Sequence, residues 1–273
     1  MAKIIEKKIL SQKTILFVIE APDIAKKHRP GQFVILRRDD RAERIPITIA
    51  DSDRERGTIT IICQEIGKST RDITSMEKGD EFLDLVGPLG KPTHIGRFGS
   101  VVCIAGGFGV ATINPIAKGL KENGNRIIII MGARTRELLI WEEQMRKVAD
   151  AVYITTDDGS YGKKGLVTDE LKRLIDADEN IGLVITVGPI PMMKAVCNLT
   201  KEREIKTYAS LNPIMLDGTG MCGGCRVTVG GKVKFACVDG PEFDGHIVDF
   251  DELNRRNKIY IKEERCMLEG IGD

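Results

Sequence analysis

The N-terminal third of the chain alternates short apolar segments with turn-forming residues. Four segments are rich in Ile, Val and Thr: residues 15–19, 32–36, 45–49 and 58–62. Gly, Pro, Asp or Ser residues separate them at roughly ten-residue intervals, which is typical of an antiparallel barrel or sandwich. A Gly- and Pro-rich segment at residues 87–92 closes the region. We therefore predict an antiparallel β-barrel domain over residues 1–97.

Beyond residue 98 the apolar segments are uninterrupted and alternate with helical stretches. Strands are predicted at residues 101–105, 127–131, 151–155 and 183–187. Helices are predicted up to about residue 123, at 137–148, at 167–175 and from about 191. Strands that are apolar on both faces predict a parallel sheet covered by helices on each side. We assign this α/β domain to residues 98–206.

From residue 207 the chain becomes rich in Gly and Cys, and a polar helical stretch begins near residue 249. Residues 207–273 are therefore predicted to form a small third domain. Together the three regions predict a fold of the class α/β plus β, consisting of an antiparallel barrel, a parallel-sheet domain and a small cysteine-containing domain.

The composition limits the classes of function. The 273-residue chain has 41 Lys and Arg against 40 Asp and Glu, a net charge of +1. Binding to phosphate backbones needs a concentrated basic surface, so this balance argues against a nucleic-acid partner. No segment approaches the ~20 apolar residues of a membrane span, and the N-terminus has no apolar leader. We expect a cytoplasmic protein with no membrane partner.

The seven cysteines are an odd number and some are clustered, which favours metal or redox ligands over disulfides. Asp217, Cys222 and Cys225 have the spacing D-x4-C-x2-C, and Cys237 follows after eleven intervening residues. Plant-type [2Fe-2S] sites use C-x4-C-x2-C and a later Cys, so Asp217 stands at the position of the first ligand. A carboxylate can bind iron as a harder donor than thiolate.

Two alternatives stay open for these cysteines. A structural zinc ribbon also uses a C-x2-C pair, although such ribbons more often contain two pairs. Cys266 could replace Asp217 as the fourth ligand, but it lies far along the chain. The remaining cysteines lie in or beside apolar segments and are predicted to be core thiols: Cys63, Cys103 and Cys197.

Three loops that follow predicted parallel strands carry candidate nucleotide-binding residues. They are Gly106, Gly107 and Gly109 after the first strand, Asp157 and Asp158 after the third, and Gly188, Pro189 and Met192 after the fourth. Such loops meet at the carboxyl edge of a sheet, where α/β proteins bind ligands. Glycines permit a tight turn there, and the next helix directs its amides at a diphosphate. The G-G-x-G pattern alone is also compatible with a simple strand-to-helix turn.

The barrel region carries a third set of candidates. Arg44, Ile45, Pro46 and Thr48 share one predicted strand, and Gly67, Lys68, Ser69 and Thr70 precede or begin a helix predicted over residues 70–76. Gly, Lys and hydroxyl residues at a helix start suit a phosphate. Alternatively, Arg44 is a surface strand residue, and Ser69 and Thr70 only cap the helix.

In this order the motifs resemble those of ferredoxin–NADP reductase-type flavoproteins, and specifically their electron-transfer subunits. That group includes the iron–sulfur subunit of dihydroorotate dehydrogenase and the small subunits of NADH-dependent ferredoxin:NADP oxidoreductase and of sulfide dehydrogenase. The resemblance covers nearly the whole chain. It is carried by residues 44–48, 87–90, 105–109, 157–160, 188–193 and 217–237.

The resemblance implies FAD on the barrel, with its phosphates at Arg44, its flavin ring at Thr48 and its diphosphate at residues 67–70. It implies that the glycines of residues 106–109 hold the diphosphate of a nicotinamide nucleotide, and that residues 188–192 border the nicotinamide. It implies hydride transfer between nicotinamide and flavin, then single-electron transfer to a [2Fe-2S] cluster. No further catalytic residue is predicted.

The acidic residues after the third strand favour NAD(H), because Asp157 and Asp158 would repel a 2′-phosphate. Arg134 and Arg136 follow the second strand, where a 2′-phosphate could bind, and they leave NADP(H) as an alternative.

Asp217 departs from the dihydroorotate dehydrogenase subunits, which have a Cys at this position. It favours the ferredoxin:NADP oxidoreductase or sulfide dehydrogenase type. That type implies a heterodimer with a larger flavo-iron–sulfur subunit that bifurcates electrons. The alternatives are the electron-transfer subunit of dihydroorotate dehydrogenase and a zinc-containing, non-redox interaction protein on a reductase scaffold.

Overall fold

The computed structural model describes residues 2–177 and 180–269 of the chain. Met1 and residues 270–273, which the predicted first and third domains include, lie outside the described residues, as do Asp178 and Glu179 of the predicted second domain.

The N-terminal region forms one antiparallel seven-stranded sheet. Its elements are β1 (Ala2–Ser11), β2 (Thr14–Glu20), α1 (Pro22–Lys27), β3 (Phe33–Arg37), β4 (Ile45–Asp53), β5 (Thr58–Gln64), α2 (Lys68–Thr74), β6 (Glu81–Phe82) and β7 (Asp84–Leu89). The strand order is β6-β1-β2-β5-β4-β3-β7. Only Leu83 separates the two edge strands β6 and β7, so the sheet curls into a nearly closed barrel. The predicted antiparallel barrel is confirmed.

The barrel interior is filled by alternate residues of its strands, as a pleated sheet with one buried face requires. Phe17 and Ile19 of β2 and Ile59 and Ile61 of β5 are all fully buried in this core. Strand β1 was not predicted, because Lys and Glu residues interrupt its apolar positions and much of its length is exposed.

The second region is built on a parallel sheet. Its elements are β8 (Ser100–Gly106), α3 (Val110–Glu122), β9 (Arg126–Ala133), α4 (Glu142–Val148), β10 (Ala151–Thr156), β11 (Lys163–Lys164), α5 (Val167–Asp176), β12 (Ile181–Val187), α6 (Ile190–Lys201) and β13 (Thr207–Ser210). The strand order is β11-β10-β9-β8-β12-β13, all parallel, so the order reverses between β8 and β12. The predicted parallel sheet is confirmed.

Both faces of this sheet are buried. Val101 and Cys103 of β8 pack in the cluster that contains the apolar residues of α3. Val102 and Ile104 of the same strand pack in the cluster that contains those of α5. This two-sided burial explains why the central strands are continuous runs of apolar residues.

The second helix of this region is confirmed, but its start was predicted wrongly. It was expected over residues 137–148, but Arg136–Leu138 forms a single 3₁₀ turn and α4 begins only at Glu142. Trp141 lies between them with φ 59°, in the left-handed region. A left-handed residue cannot continue a right-handed helix, so the helix starts after it. The Trp141 side chain is partly buried against the core beneath α3.

The last region contributes β14 (Arg226–Val229), β15 (Lys232–Phe235), α7 (Ala236–Asp239), β16 (Glu242–Asp244), α8 (Phe250–Arg256) and α9 (Ile261–Glu269). Strands β14 and β15 form a separate hairpin, whereas β16 joins the parallel sheet antiparallel to β13. Among the described helices, none is both long and apolar enough to cross a membrane.

Candidate cofactor sites

The barrel and the parallel sheet meet along a seam between β4 and α3. The hydroxyl oxygens of Thr48 and Thr112 lie 3.2 Å apart. Asn114 is fully buried and donates a hydrogen bond to the Ala50 carbonyl at 2.9 Å. Helix α3 starts directly after the glycine loop, residues 106–109. Thr48, predicted at the flavin ring, is therefore held beside the helix that the glycine loop begins.

Arg44 stands immediately before β4 with an incompletely satisfied guanidinium. Its Nη1 is 3.7 Å from Asp84 Oδ2, but that carboxylate already accepts a hydrogen bond from Arg37 Nε at 2.8 Å. Arg44 Nε is buried and has no hydrogen-bond partner among the described residues. A buried N–H group without a partner is costly, and a phosphate oxygen would satisfy it. The adjacent Ile45 and Pro46 pair with Leu36 and Ile35 of β3.

The hydroxyl groups of the loop before α2 form hydrogen bonds with other groups of the protein. Thr70 Oγ1 accepts hydrogen bonds from the amides of Ile66 and Gly67, each at 2.9 Å. The Ser69 hydroxyl donates to the Glu43 carboxylate. Thr70 thus has the capping role that was the alternative interpretation. Helix α2 runs from Lys68 to Thr74 and not from residue 70 to 76, because the Thr70 hydroxyl closes the turn two residues earlier.

The loops after β8 and β12 touch each other where the strand order reverses. A Cβ atom on Gly109 would lie 2.3 Å from the Val187 carbonyl oxygen, and one on Gly106 would lie 2.6 Å from Met192 Sδ. A Cβ on Gly188 would lie 2.9 Å from the Cα of Gly106. Pro189 packs against Gly106 from the same side. Gly109 and Gly188 are therefore required by the close approach of two backbones, and Gly106 by the side chains of Pro189 and Met192.

Gly107 differs from its neighbours in the same loop. Its φ is +52°, and nothing lies within 4 Å of the position that a Cβ would take. The backbone at Gly107 therefore borders open space above the sheet edge, which is the arrangement that a diphosphate needs beside a helix start.

The acidic loop after β10 lies two strands away from the glycine loop along the same edge. Asp158 accepts hydrogen bonds from the Ser160 hydroxyl at 2.7 Å and from the Ser160 amide at 2.9 Å. These bonds hold the pKa of the Asp158 carboxyl below its usual range. Arg136 donates its amide to Ser160 and stacks its guanidinium 5.0 Å from the centre of the Tyr161 ring. Asp157 is exposed in the same corner.

The cysteine loop, residues 217–225, is shaped by Asp217. Its carboxylate accepts hydrogen bonds from the amides of Thr219 and Cys222, both at 2.7 Å, and these lower the pKa of the carboxyl. Cys222 is exposed, whereas Cys225 is buried. The loop packs on the barrel, since a Cβ on Gly218 would lie 2.6 Å from Ile35 Cγ1.

Two of the predicted ligand thiols lie side by side. Cys225 Sγ and Cys237 Sγ are 3.2 Å apart, and each side chain is 2% exposed. Burial raises the pKa of the Cys237 thiol to about 12. Within residues 2–177 and 180–269, no three His, Cys, Asp or Glu side chains are gathered as a finished metal site. The donor set fits an iron–sulfur group in its chemistry, because soft thiolates predominate.

The other cysteines are separate from this pair. Burial raises the pKa of Cys63, Cys103 and Cys197 to about 12, as expected of core thiols. Cys266 is exposed on α9, and α9 packs against α2 of the barrel.

A buried carboxyl group at the junction of all three regions was not predicted. Glu242 in β16 accepts a hydrogen bond from the Thr93 hydroxyl at 2.6 Å and lies against Gly31 of the barrel. Its burial raises the pKa to about 7. Nothing in the local sequence signals this contact, because Thr93 and Glu242 are 149 positions apart.

We expect Glu242 to make the stability of the fold depend on pH. Its pKa rises from 4.5 to about 7 on folding, so the folded state holds the proton more tightly. The contribution of Glu242 to the free energy of unfolding should therefore fall as pH rises from about 5 to 8, by about 2 kcal/mol at 1.36 kcal/mol per pKa unit. Urea unfolding at these two pH values should show this as a change of that size in the difference between the native chain and Glu242→Gln.

His28 gives the free energy of unfolding a pH dependence of the opposite sign, and this contribution is the same in both proteins. Its burial lowers its pKa to about 4, so its contribution to stability is lost as pH falls below 6.5. Because both proteins contain His28, its contribution cancels in the difference between them. Identical pH dependence in the two proteins would contradict the role of Glu242.

Comparison with known proteins agrees with this arrangement. The iron–sulfur cluster binding domain of dihydroorotate dehydrogenase B matches residues 212–249, and the oxidoreductase NAD-binding domain matches residues 103–198. The dihydroorotate dehydrogenase B (NAD(+)) electron transfer subunit homolog of Thermotoga maritima is 45% identical over 98% of this chain and 94% of its own length. An uncharacterised protein of Clostridium beijerinckii is 48% identical over 97% of this chain and 92% of its own.

A solved structure matches nearly the whole fold. It is a chain of the NADH-dependent reduced ferredoxin–NADP oxidoreductase, described for flavin-based electron bifurcation. The TM-score is 0.93 and the identity 43%, over 99% of this chain and 97% of the other.

Proposed function

Because the chain belongs to the family of electron-transfer subunits that includes those of dihydroorotate dehydrogenase B, we propose that it passes electrons between NAD(H), FAD and a [2Fe-2S] cluster within a larger complex. These three cofactors follow from the two family matches and the reductase fold. We propose further that the complex is of the NADH-dependent ferredoxin:NADP oxidoreductase type, as for its structural relative.

One observation carries the proposal. Of two adjacent barrel strands, one contacts the parallel-sheet region and the other contacts the cysteine loop. Thr48 of β4 contacts α3, which the glycine loop begins. Ile35 of β3, the neighbouring strand, contacts Gly218 of the cysteine loop. A flavin links two-electron transfer to one-electron transfer, because it takes two electrons from NADH and gives them singly to a one-electron cluster.

The residues of the chain have distinct parts in this proposal. Arg44 offers its unpaired N–H to a flavin phosphate, and Thr48 orients the ring from the seam with α3. The glycine loop leaves the backbone at Gly107 open to the nucleotide diphosphate, while Met192 closes the opposite side against Gly106. Cys225 and Cys237 provide buried thiolates, and Asp217 fixes the backbone at Cys222 by accepting a hydrogen bond from its amide.

Three exposed apolar side chains next to the cysteine loop, called the collar below, are consistent with binding to a partner subunit. Met221 is 88% exposed, Leu216 54% and Val238 40%, and each is next to a proposed cluster ligand. Exposed apolar side chains grouped at one place are typical of a protein interface. We propose that the collar contacts the larger flavo-iron–sulfur subunit that exchanges electrons with the cluster.

The second candidate function is the electron-transfer subunit of dihydroorotate dehydrogenase. The family match over residues 212–249 and the similarity to the Thermotoga maritima electron transfer subunit homolog favour it. The partner distinguishes the two functions. A copurifying dihydroorotate-oxidising barrel would support the second, and a partner with its own flavin and [4Fe-4S] centres would support the first.

The proposed function is tested on the anaerobically purified chain. We expect flavin bands with a broad iron–sulfur shoulder, about two iron and two sulfide per chain, and bleaching of the flavin on addition of NADH. Flavin with one zinc and no sulfide would contradict the cluster and leave a simpler reductase. A protein that neither contains nor takes up FAD would contradict the redox function as a whole.

A further inference from the structure

The barrel and the parallel-sheet region are held together largely by the contact between strand β4 and helix α3. Much of this contact is apolar, because one cluster contains Leu16, Ala50 and Ile62 of the barrel together with the apolar residues of α3. Apolar burial has no preferred direction, so by itself it does not fix how two surfaces are aligned. The alignment of the two regions therefore depends on the polar contacts between them.

Ala50 lies at an irregularity in β4. The pairing of β4 with β5 shifts its register between Ile49 and Asp51, and the pairing of β4 with β3 ends at Thr48. Among the described strands, none places a residue opposite Ala50. An extra residue of this kind is left out of the ladder, and such bulges are common next to active sites. The Ala50 carbonyl is thus available to a group outside the barrel.

Asn114 of α3 binds this carbonyl. Its Nδ2 donates to the Ala50 oxygen at 2.9 Å, and its Oδ1 accepts a hydrogen bond from Gln144 Nε2 of α4 at 3.4 Å. The Asn114 side chain is fully buried and bonded at both ends, so it has one orientation. The ion pair between Lys118 and Asp51 also joins α3 to β4, but its side chains are 34% and 37% exposed. Exposed ion pairs hold their partners weakly.

The bond between Asn114 and Ala50 connects two short pieces of regular backbone. Ala50 lies two residues beyond Thr48, the residue proposed at the flavin ring. Asn114 lies five residues beyond Gly109, the last residue of the glycine loop, and both pieces continue without a break in β4 and α3. The bond therefore sets how the glycine loop lies relative to Thr48.

We propose that Asn114 is a positioning residue that aligns the nicotinamide nucleotide with the flavin. The inference rests on the proposed function, since it requires both cofactors. Asn114 acts through the Ala50 carbonyl and through the helix to which it belongs. Transfer between two bound groups depends steeply on their placement, and an error of about 1 Å can cost about a hundredfold in rate.

The test replaces Asn114 by Leu, which has a similar branched shape but no hydrogen-bonding group. In Asn114→Leu we expect the rate of flavin reduction at saturating NADH to fall by about tenfold or more. The dissociation constant of NADH, taken from the dependence of this rate on NADH, should stay within about twofold of the native value, because the loss is one of alignment and not of binding. Stopped-flow absorbance measures both, and the FAD content per chain should be unchanged.

Lys118→Ala is the matched control on the same helix. It removes another contact between α3 and β4, but an exposed one, and should leave the rate of flavin reduction unchanged. If Asn114→Leu does not fold, Gln144→Ala takes its place. It frees the Oδ1 end of Asn114 without touching the barrel and should slow the same reaction to a smaller extent.

Amide hydrogen exchange of the flavin-bound chain without NADH gives a measurement that involves no turnover. Peptides covering residues 48–53 and 110–118 should exchange faster in Asn114→Leu than in the native chain, and those from β2 should not. A purely structural role of Asn114 would lower the stability but leave folded molecules reacting at the native rate. That result would overturn the inference and leave the proposed function intact, whereas a native chain whose flavin is not reduced by NADH would contradict the proposed function itself.

Discussion

Replacing Cys225 by Ser is expected to remove the cluster and to leave the flavin in place. The Cys225 thiol is buried and lies 3.2 Å from that of Cys237, so no other described cysteine can take its position without a rearrangement of the loop. A serine hydroxyl is a harder and far less acidic donor than a thiol. Iron and sulfide should fall from about two of each per chain to nearly none.

The flavin measurements separate loss of the cluster from loss of the fold. The apolar core inside the barrel is distinct from the cluster of apolar side chains around Cys225, to which the described residues of the barrel contribute only Phe33, Ile35 and the partly buried Leu89. The Cys225→Ser chain should therefore still bind FAD and bleach with NADH, but it should not reduce one-electron acceptors that depend on the cluster.

Cys266→Ser is the matched control for this prediction. Cys266 is exposed on α9, whereas the proposed ligands lie in the cysteine loop and at Cys237. Its replacement should leave the iron and sulfide content unchanged. Loss of iron from Cys266→Ser would instead make Cys266 a ligand and would contradict the assignment of Asp217 as the fourth.

The second large effect is expected at Gly109. A methyl group on Gly109 would lie 2.3 Å from the Val187 carbonyl oxygen, which belongs to a central strand paired with β8. Backbone atoms in such a strand cannot move aside as a flexible side chain can. Gly109→Ala should lower the free energy of unfolding by about 3 kcal/mol, at the upper end of typical overpacking costs. Urea unfolding followed by circular dichroism measures this change.

Gly107→Ala is the comparison for Gly109 within the same loop. Here the methyl group meets open space, and the strain comes only from the φ of +52°. The stability cost should be about 1 kcal/mol. However, the methyl group enters the space proposed for the nucleotide diphosphate, so NADH should bind more weakly. If both variants lost stability equally, the close contact with Val187 would not explain the glycine at position 109.

The elements predicted well are those whose environment is uniform along their length. The four central parallel strands are apolar on both faces, and each was found within a few residues of its predicted bounds. Strand β1 was missed because its charged residues point outward from a barrel whose closure depends on distant strands. The start of α4 was missed because it depends on the backbone conformation of one residue, Trp141.

The candidate sites divide in the same way. Glycine and cysteine motifs are local and could be read from spacing alone. The seam that joins Thr48 to Thr112 links residues 64 positions apart, and the Glu242 junction links more distant ones. The role of the Thr70 hydroxyl also depends on the folded loop, since capping and phosphate binding require the same residue type. Tertiary structure therefore decides which hydroxyl caps a helix and which stays free to bind a ligand.

The unusual residue before α4 also gives the molecule a built-in optical reporter. Trp141 is the only tryptophan among the 273 residues, and it packs against the apolar core beneath α3. Its fluorescence therefore follows the core that contains α3 and the parallel sheet, while flavin absorbance follows the barrel and the iron–sulfur shoulder follows the cysteine loop. Three wavelengths recorded during one denaturation experiment would reveal whether the three regions come apart in a single step or in sequence.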